Sequence, residues 1–259
     1  MTKSEELSGR EHYREIYKNQ LDKEAEWLRR GAVEKVNSIE MLLRNNHIRP
    51  KSLLELGCGT GAVITECQRR GFAERYCAVD YSEEAIDYLR SHSQGIKTMA
   101  ADITTQAPWR HETWDVVVLS HVLEHLEDPS TFLQSVQTLN FSYLVAEIPL
   151  EDLFLNFLKS LIRDRSGNLS GHVQFFTAKS FTKLLTASGF RILDQRRYVP
   201  IWDCPTVRFV TEKNNLGKAQ YYRQILTAVY LPTLLKPIWS ALYYAHYAAL
   251  CQKISPQDC

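Results

Sequence analysis

The sequence predicts an α/β fold built on a doubly wound parallel sheet. Short apolar runs alternate along the chain with segments of helical periodicity, which is typical of β–α–β units. The run Val116–Leu119 is apolar at every position and indicates a strand buried on both faces, as in a parallel sheet. The run at residues 52–56 leads into a glycine-rich turn, Gly57–Gly61, and then into a helical pattern. This is how the first unit of such a sheet begins.

Length and composition bound the class of protein. A chain of 259 residues with 44% hydrophobic and 24% charged residues suits one α/β domain with elaborations, or two small domains. The net charge of +1 gives no electrostatic case for a nucleic-acid partner. The six cysteines contain no CxxC pair, so neither a zinc framework nor a disulfide framework is indicated. No secretory leader or membrane-spanning run is found, and we expect a cytoplasmic protein.

The elements follow in order. Apolar residues recur at helical spacing from 9 to 45, which predicts an N-terminal helical cap at 1–50. Asp128 as N-cap with Pro129 behind it, and Gly189 as C-cap, mark helix ends. Strands are predicted at 52–56, 76–80, 97–101, 115–120, 142–147 and 191–198. Helices are predicted at 62–70, 83–91, 129–138 and 178–188. The α/β core is therefore assigned to 51–199.

Two connections are longer than a compact domain usually contains. Residues 149–177 and 200–243 are too apolar for disorder, so both are predicted to be packed helical cap insertions. Residues 244–253 alternate in side-chain size and favour a closing seventh strand over a helix end, which leaves 244–259 as closing strand and tail.

The caps are rich in aromatic residues, and two interpretations remain open. These side chains form the insertions' own core, or they line a pocket for an apolar or aromatic small molecule. The segment 221–247 is also apolar enough to contact a membrane surface or to form a homodimer interface.

Three acidic residues follow predicted strands or lie at their ends. Glu55, Asp80 and Asp102 are expected along the carboxyl edge of the sheet, where ligands bind in this architecture. S-adenosylmethionine presents an ammonium, two ribose hydroxyls and an adenine amino group, which are all donors. A dinucleotide carries a pyrophosphate, which carboxylates would repel. Alanine is permitted at the third glycine position of the dinucleotide-binding pattern, and Ala62 stands at that position. The glycines alone therefore do not distinguish a dinucleotide from S-adenosylmethionine. The carboxylates favour S-adenosylmethionine.

These motifs resemble those of class I S-adenosylmethionine-dependent methyltransferases. The resemblance rests on Glu55–Gly61, Val79–Asp80, Ala101–Ile103 and Asp115–His125. The stretch from Gly171 to Phe190 is similar to the small-molecule branch that includes the ubiquinone-biosynthesis methyltransferases. The likeness covers about residues 50–195. It implies a Rossmann-like seven-stranded sheet with an antiparallel last strand, and both insertions roofing the cofactor.

The resemblance also implies roles for individual residues. Backbone approach to the methionine part is expected at the glycine turn, namely at Gly57, Cys58, Gly59 and Gly61. Glu55 is expected near the amino end and Asp80 at the ribose. Asp102, with Ile103 beside it, is expected at the adenine. Tyr81 is expected to stack on the adenine or only to form a wall. Ser120 and His121 would border the methyl group, and Tyr13 and Tyr17 would close over the cofactor.

Methyl transfer to a hydroxyl benefits from a base with a pKa near neutral, which favours histidine. His172, at the return from the first insertion, and His121, beside the expected methyl group, are the candidate bases. His125 is expected to be structural, and His246 is expected to lie in the core or at the surface. No histidine pair shows metal-ligand spacing with a carboxylate partner, so no metal site is predicted.

The resulting hypothesis is an S-adenosylmethionine-dependent methyltransferase that acts on a hydroxyl of a small apolar or aromatic metabolite. One alternative is an N- or C-methyltransferase acting on an amino sugar or polyketide-type metabolite. Another is a protein that binds the cofactor without catalysis.

Overall fold

A seven-stranded sheet organises the chain. The computed structural model describes residues 9–105, 111–150, 171–200, 202–235 and 245–254. Within them the strands are β1 (Ser52–Leu56), β2 (Arg75–Asp80), β3 (Ile96–Ala100), β4 (Thr113–Ser120), β5 (Asn140–Leu150), β6 (Phe190–Tyr198) and β7 (Ala245–Lys253). Their order is β3-β2-β1-β4-β5-β7-β6. The first five strands are parallel, and β7 is antiparallel to both neighbours. The predicted fold class is confirmed.

The last strand lies inside the sheet. β7 pairs with β5 on one side and with β6 on the other. Its first seven residues are buried, which explains why this segment is so apolar. β5 extends through Leu150, so the first insertion begins later than the predicted residue 149.

Helices cover both faces of the sheet. They are α1 (Gly9–Asn45), α2 (Ala62–Arg69), α3 (Glu83–His92), α4 (Pro129–Gln137) and α5 (Ala178–Ala187). A 3₁₀ turn spans Leu123–His125. α1 is kinked at Gln20, where φ is −144°. The side chain of Asp128 accepts the backbone N–H of Thr131 at 2.9 Å, which caps α4 as predicted.

Two groups of buried side chains form the core. On one face of the sheet α1, α2 and α3 contribute residues such as Ile39, Ile64 and Ile86. On the other face α4 and α5 contribute residues such as Phe132 and Phe181. Burial of apolar surface on both faces explains the unbroken apolar runs in β1 and β4.

The second insertion is helical and docks on α1. It contains α6 (Cys204–Lys213), α7 (Lys218–Gln224), a π-helical stretch (Ile225–Tyr230) and α8 (Leu231–Leu234). Lys213 Nζ lies 2.5 Å from Glu24 Oε2, and the Trp202 ring packs edge-on against Trp27 at 5.3 Å between centroids. Trp202 therefore serves packing between elements. Most of the first insertion, residues 151–170, lies outside the described residues, as do Tyr244 and the tail from 255.

Exposed apolar side chains follow one another along the second insertion at intervals of four residues. They are Tyr222, Leu226, Tyr230 and Leu234. Among the helices that the structure describes, none is both long and apolar enough to span a bilayer. Contact of 221–247 with a membrane surface or a second copy stays a prediction.

Candidate active site

The glycine turn after β1 brings bare main chain to the carboxyl edge of the sheet. Gly57, Gly59 and Gly61 have φ values of 73°, 53° and 77°, in the left-handed region that favours glycine. The N–H groups of Gly57 and Cys58 donate to the carbonyl of Val79 at 2.8 and 3.0 Å. The turn is thereby fixed to the end of β2.

Asp80 ties the same turn to the start of α3. Its Oδ2 accepts the N–H of Gly59 at 2.8 Å, and its Oδ1 accepts the N–H of Ser82 at 3.0 Å. The side chain is buried, and this burial raises the pKa of Asp80 despite those hydrogen bonds. A carboxylate oxygen accepts more than one hydrogen bond, so Asp80 can also accept from ribose hydroxyls.

Glu55 lies beneath the turn. It is 2% exposed, and its Oε2 accepts the backbone N–H of Ile64 in the first turn of α2 at 2.9 Å. Burial raises the pKa of Glu55 to about 8, while the hydrogen bond from Ile64 and the charge of Lys35 act in the opposite direction. A cationic group bound nearby would favour the ionised carboxylate.

Asp102 follows β3 and pairs with a side chain of α1. Its Oδ2 lies 2.8 Å from Arg10 Nη1, and the Arg10 guanidinium lies over the Tyr81 ring, 5.0 Å from its centroid. Burial acts to raise the pKa of Asp102, but hydrogen bonds from Thr104 and Arg10 outweigh it and lower the pKa. Ile103 packs against the core beside Asp102.

The N-terminal part of α1 covers this edge. Tyr17 is 5% exposed, and a Cβ at position 59 would lie 2.6 Å from the Tyr17 hydroxyl oxygen. The Tyr13 ring lies 5.7 Å from that of Tyr17 and 5.0 Å from that of His125, between centroids. The two predicted tyrosines therefore lie over the glycine turn and beside the 3₁₀ turn after β4.

Ser120 and His121 follow at the end of β4. Ser120 Oγ is buried and has no hydrogen-bond partner among the described residues. His121 has a φ of 58°, which is uncommon for a residue with a side chain, and its N–H donates to the carbonyl of Glu147 at 2.9 Å. Burial lowers the pKa of the His121 imidazole.

His172 approaches the same region from the other side of Glu124. The ring of His172 lies 4.9 Å from that of His125, between centroids, and the next two residues donate their N–H groups to the carbonyl of Glu124. His121 Nδ1 lies 3.4 Å from Glu124 Oε1. His125 Nδ1 lies 3.1 Å from the carbonyl oxygen of Gly171, which fixes the return of the first insertion. The two candidate bases thus flank one buried glutamate.

Glu147 and His246 were missed as site residues by the sequence reasoning. Glu147 Oε1 lies 3.3 Å from His121 Nε2 and 3.1 Å from His246 Nδ1. The spacing along the chain indicates no histidine pair with a carboxylate partner, whereas the fold brings two histidines to Glu147, because these residues come from or follow separate strands. The available signal was that Glu147 is the last residue of the predicted strand 142–147, as Asp80 is of the predicted strand 76–80.

A comparison with protein families identifies the chain. A family model described as a methyltransferase domain matches residues 25–195, which is more than half of the chain. The chain belongs to this family of class I S-adenosylmethionine-dependent methyltransferases. The predicted family is confirmed, and S-adenosylmethionine is the cofactor.

Curated relatives of this methyltransferase match over limited segments. A ubiquinone biosynthesis O-methyltransferase of Aeromonas salmonicida is 30% identical over 93 residues, 34% of this chain and 38% of that protein. A Mycobacterium tuberculosis protein named "Probable S-adenosylmethionine-dependent methyltransferase" is 35% identical over 86 residues, 32% of this chain and 30% of that protein. The chain thus spans well under half the length of these relatives.

Solved structures support the fold of the methyltransferase. The crystal structure of magnesium protoporphyrin IX methyltransferase from Synechocystis PCC 6803 with bound SAH aligns with a TM-score of 0.57 at 16% identity. The alignment covers 95% of this chain and 94% of that one. At this identity the likeness shows the shared architecture alone.

The residues of the methyltransferase fit the cofactor chemically. Glu55, Asp80 and Asp102 supply acceptors at the ends of three adjacent strands, which suits the ammonium, ribose and adenine donors. Ser120 adds a buried hydroxyl without a partner in the described part of the chain. When bound, the cofactor supplies an electrophilic methyl group on a sulfonium. These individual roles remain predictions.

Proposed function

We propose that this methyltransferase transfers the methyl group of S-adenosylmethionine to a hydroxyl of a small apolar or aromatic metabolite. The observation that carries the proposal is the row of carboxylates Glu55, Asp80 and Asp102 around the glycine turn. Their acceptors complement the donors of S-adenosylmethionine and would repel a pyrophosphate. The family membership given above agrees with this chemistry.

Two features support oxygen as the acceptor atom. The Aeromonas salmonicida relative is named an O-methyltransferase. His121 and His172 flank Glu124 near the end of β4, where a base would be needed for the hydroxyl proton. The acceptor oxygen would take the methyl group that S-adenosylmethionine supplies when bound, and S-adenosylhomocysteine would be the second product. The hydroxyl proton goes to the base.

An apolar acceptor is supported by the aromatic residues that follow His172 in the sequence. Phe175 is 54% exposed and Phe176 is buried, three and four residues after the histidine. An exposed aromatic side chain offers contact area to an aromatic ring with little loss of conformational entropy. Tyr13 and Tyr17 cover the turn on the cofactor side, which excludes water from the transfer.

The residues of the chain contribute mainly by positioning. Methyl transfer is an in-line displacement, and holding the two reactants in line can supply about 7–11 kcal/mol of barrier reduction. A correctly placed base adds roughly 10²–10⁴-fold in rate.

The test is a methyl-transfer screen with S-adenosylmethionine and a panel of phenols, aliphatic alcohols and amines. Formation of S-adenosylhomocysteine is measured, and the methylated atom is located by NMR. We expect O-methyl ethers of aromatic or apolar acceptors, and no turnover with Asp80→Ala. Methylation of nitrogen or carbon only would contradict the hydroxyl assignment. Cofactor binding without turnover on any acceptor would favour a non-catalytic protein.

Single substitutions distinguish the roles of the two candidate bases. With an acceptor in hand, His172→Ala should lower kcat by roughly 10²–10⁴-fold and leave the Kd for S-adenosylmethionine unchanged, whereas His121→Ala, beside the expected methyl group, should lower kcat and also weaken cofactor binding. A loss of cofactor affinity together with kcat in His172→Ala would instead indicate a structural role for His172.

A further inference from the structure

Four neighbouring strands bring polar side chains to one point. Glu147 lies on β5, His246 on β7 and Tyr198 on β6, and His121 directly follows β4. Tyr198 is the register partner of His246, and Ser120 is the partner of Glu147. Glu147 is 2% exposed, and His246 and Tyr198 are each 6% exposed. The arrangement is fixed by the sheet rather than by a mobile loop.

The four side chains approach one another closely. His121 Nε2 lies 3.3 Å from His246 Nδ1 and 3.3 Å from Glu147 Oε1, and His246 Nδ1 lies 3.1 Å from Glu147 Oε1. The Tyr198 hydroxyl lies 2.8 Å from Glu147 Oε1 and 3.0 Å from His246 Nδ1. Five of the six possible contacts among these four atoms are therefore short.

Hydrogen bonds can account for the three contacts to Glu147 Oε1, but they leave two short contacts of His246 Nδ1, with His121 Nε2 and with the Tyr198 hydroxyl. Each contact needs a proton near the line between two atoms, and each N–H or O–H points well at only one acceptor. His121 Nε2, His246 Nδ1 and the Tyr198 hydroxyl supply at most three protons for five contacts. His246 Nδ1 alone has three close neighbours. The same nitrogen and oxygen atoms, close to one another, are also the donor set that a metal ion requires.

The distances match the edges of a metal coordination shell. Nitrogen and oxygen ligands lie about 2.0–2.2 Å from Zn²⁺, which puts tetrahedral ligands about 3.3–3.6 Å apart and octahedral neighbours about 2.8–3.1 Å apart. The three separations among His121 Nε2, His246 Nδ1 and Glu147 Oε1 are 3.1–3.3 Å. The two separations of 3.3 Å match tetrahedral edges and the separation of 3.1 Å matches an octahedral one. The Tyr198 hydroxyl, at 2.8 and 3.0 Å from Glu147 Oε1 and His246 Nδ1, would have to move outward to complete a tetrahedral shell.

The buried charge of Glu147 also favours a bound cation. Its Oε2 is buried and has no hydrogen-bond partner among the described residues. A buried carboxylate oxygen without a partner is costly unless a cation compensates it. Lys35 lies within electrostatic range but is shared with Glu124 and Glu55. A divalent ion bound to Glu147 would compensate the charge directly.

We propose that His121, Glu147 and His246, with Tyr198 as a fourth donor, bind a divalent transition-metal ion. Two imidazoles, one carboxylate and one phenol oxygen in a four-donor shell suit Zn²⁺ best among common ions. His121 would then be a metal ligand, which leaves His172 as the candidate base. The proposal concerns binding alone and does not depend on the proposed methyl transfer.

The test is direct metal binding by the full chain after chelator treatment. Zn²⁺ is titrated calorimetrically, and Co²⁺ is followed by its visible absorption bands. We expect one ion per chain with micromolar affinity or better. His246→Ala and Glu147→Gln should each lose more than about 100-fold in affinity, beyond the loss typical of outer-shell changes. The matched control His92→Ala, which removes an exposed histidine that stacks on Tyr88, should bind as the wild type does.

Three results would overturn the proposal. The first is no Zn²⁺ binding at micromolar concentrations, and the second is unchanged Zn²⁺ affinity in His246→Ala. The third is binding lost only in His172→Ala, which would place the ion in the neighbouring group of Glu124, His125 and His172. If circular dichroism shows that the variants do not fold, X-ray absorption of the Zn²⁺-loaded wild type decides. Two imidazole ligands support the site, and fewer than two contradict it.

Discussion

The guanidinium of Arg10 and the carboxylate of Asp102 form an ion pair of 2.8 Å across the carboxyl edge of the sheet. The Tyr81 hydroxyl donates to the carbonyl of Arg10 at 2.9 Å, and the guanidinium covers the Tyr81 ring. Asp102 and Tyr81 are the residues predicted to meet the adenine. Arg10 therefore makes the two contacts that an adenine would make there.

The first prediction is that Arg10→Ala tightens cofactor binding. The adenine amino group must displace Arg10 from Asp102, and a half-exposed ion pair contributes about 0.2–1 kcal/mol. The Kd for S-adenosylmethionine should fall by up to about fivefold, measured calorimetrically. Arg14→Ala, which removes a neighbouring charge of the same helix, is the control. Weaker binding by Arg10→Ala would show that Arg10 assists the cofactor.

The second prediction concerns Asp80. Asp80→Asn keeps the shape but not the charge, so S-adenosylmethionine should bind at least about tenfold more weakly for each ribose hydrogen bond lost. Asp80→Ala also leaves the N–H groups of Gly59 and Ser82 without their acceptor. It should therefore lower Tm more than Asp80→Asn does. Equal cofactor affinity in Asp80→Asn and wild type would rule out the ribose role.

The third prediction is a pH dependence from Glu55. Its folded pKa of about 8 lies above the ordinary value of 4.5, so the folded protein keeps a proton that the unfolded chain loses. This contribution to stability is present below the lower pKa and is lost as pH rises toward the higher one. Urea unfolding of Glu55→Gln, compared with wild type, should show a relative gain in stability as pH rises from about 5 to about 8. A constant difference across that window would contradict the assignment.

The fourth prediction uses two glycines. Gly61 has a φ of 77°, and a Cβ there would lie 2.5 Å from Leu89 Cδ1. Gly61→Ala should therefore lose about 1–3 kcal/mol of unfolding free energy and weaken cofactor binding. At Gly31 of α1, a Cβ meets nothing within 4 Å. Gly31→Ala should gain about 0.5–1 kcal/mol. Similar effects of the two substitutions would contradict the argument from the turn.

The sheet was predictable because its strands carry local signals. The predicted strand at 52–56 has the observed bounds of β1, and the alternation at 244–253 matches β7 closely. Burial on both faces makes such runs apolar whatever their neighbours are. The π-helical stretch Ile225–Tyr230 was not predicted, since the sequence pattern shows only helical spacing.

The sequence predicted those residues of the site that lie at the ends of consecutive strands. Glu55, Asp80 and Asp102 lie at or just beyond consecutive predicted strands, so topology alone brings them to one edge. Arg10 and His246 come from the two ends of the chain. Their positions depend on the kink of α1 and on β7 entering between β5 and β6, which periodicity does not encode.

The position of β7 has a consequence for biosynthesis. β7 follows β6 in the chain but separates it from β5, so β6 has no sheet partner among the described residues until residues 245–253 have left the ribosome. Domains fold during synthesis as their segments emerge. A nascent or truncated chain ending before Ala245 would expose the edges of β5 and β6 and lack His246. Completion of the sheet and assembly of the histidine cluster therefore wait for the synthesis of residues 245–253.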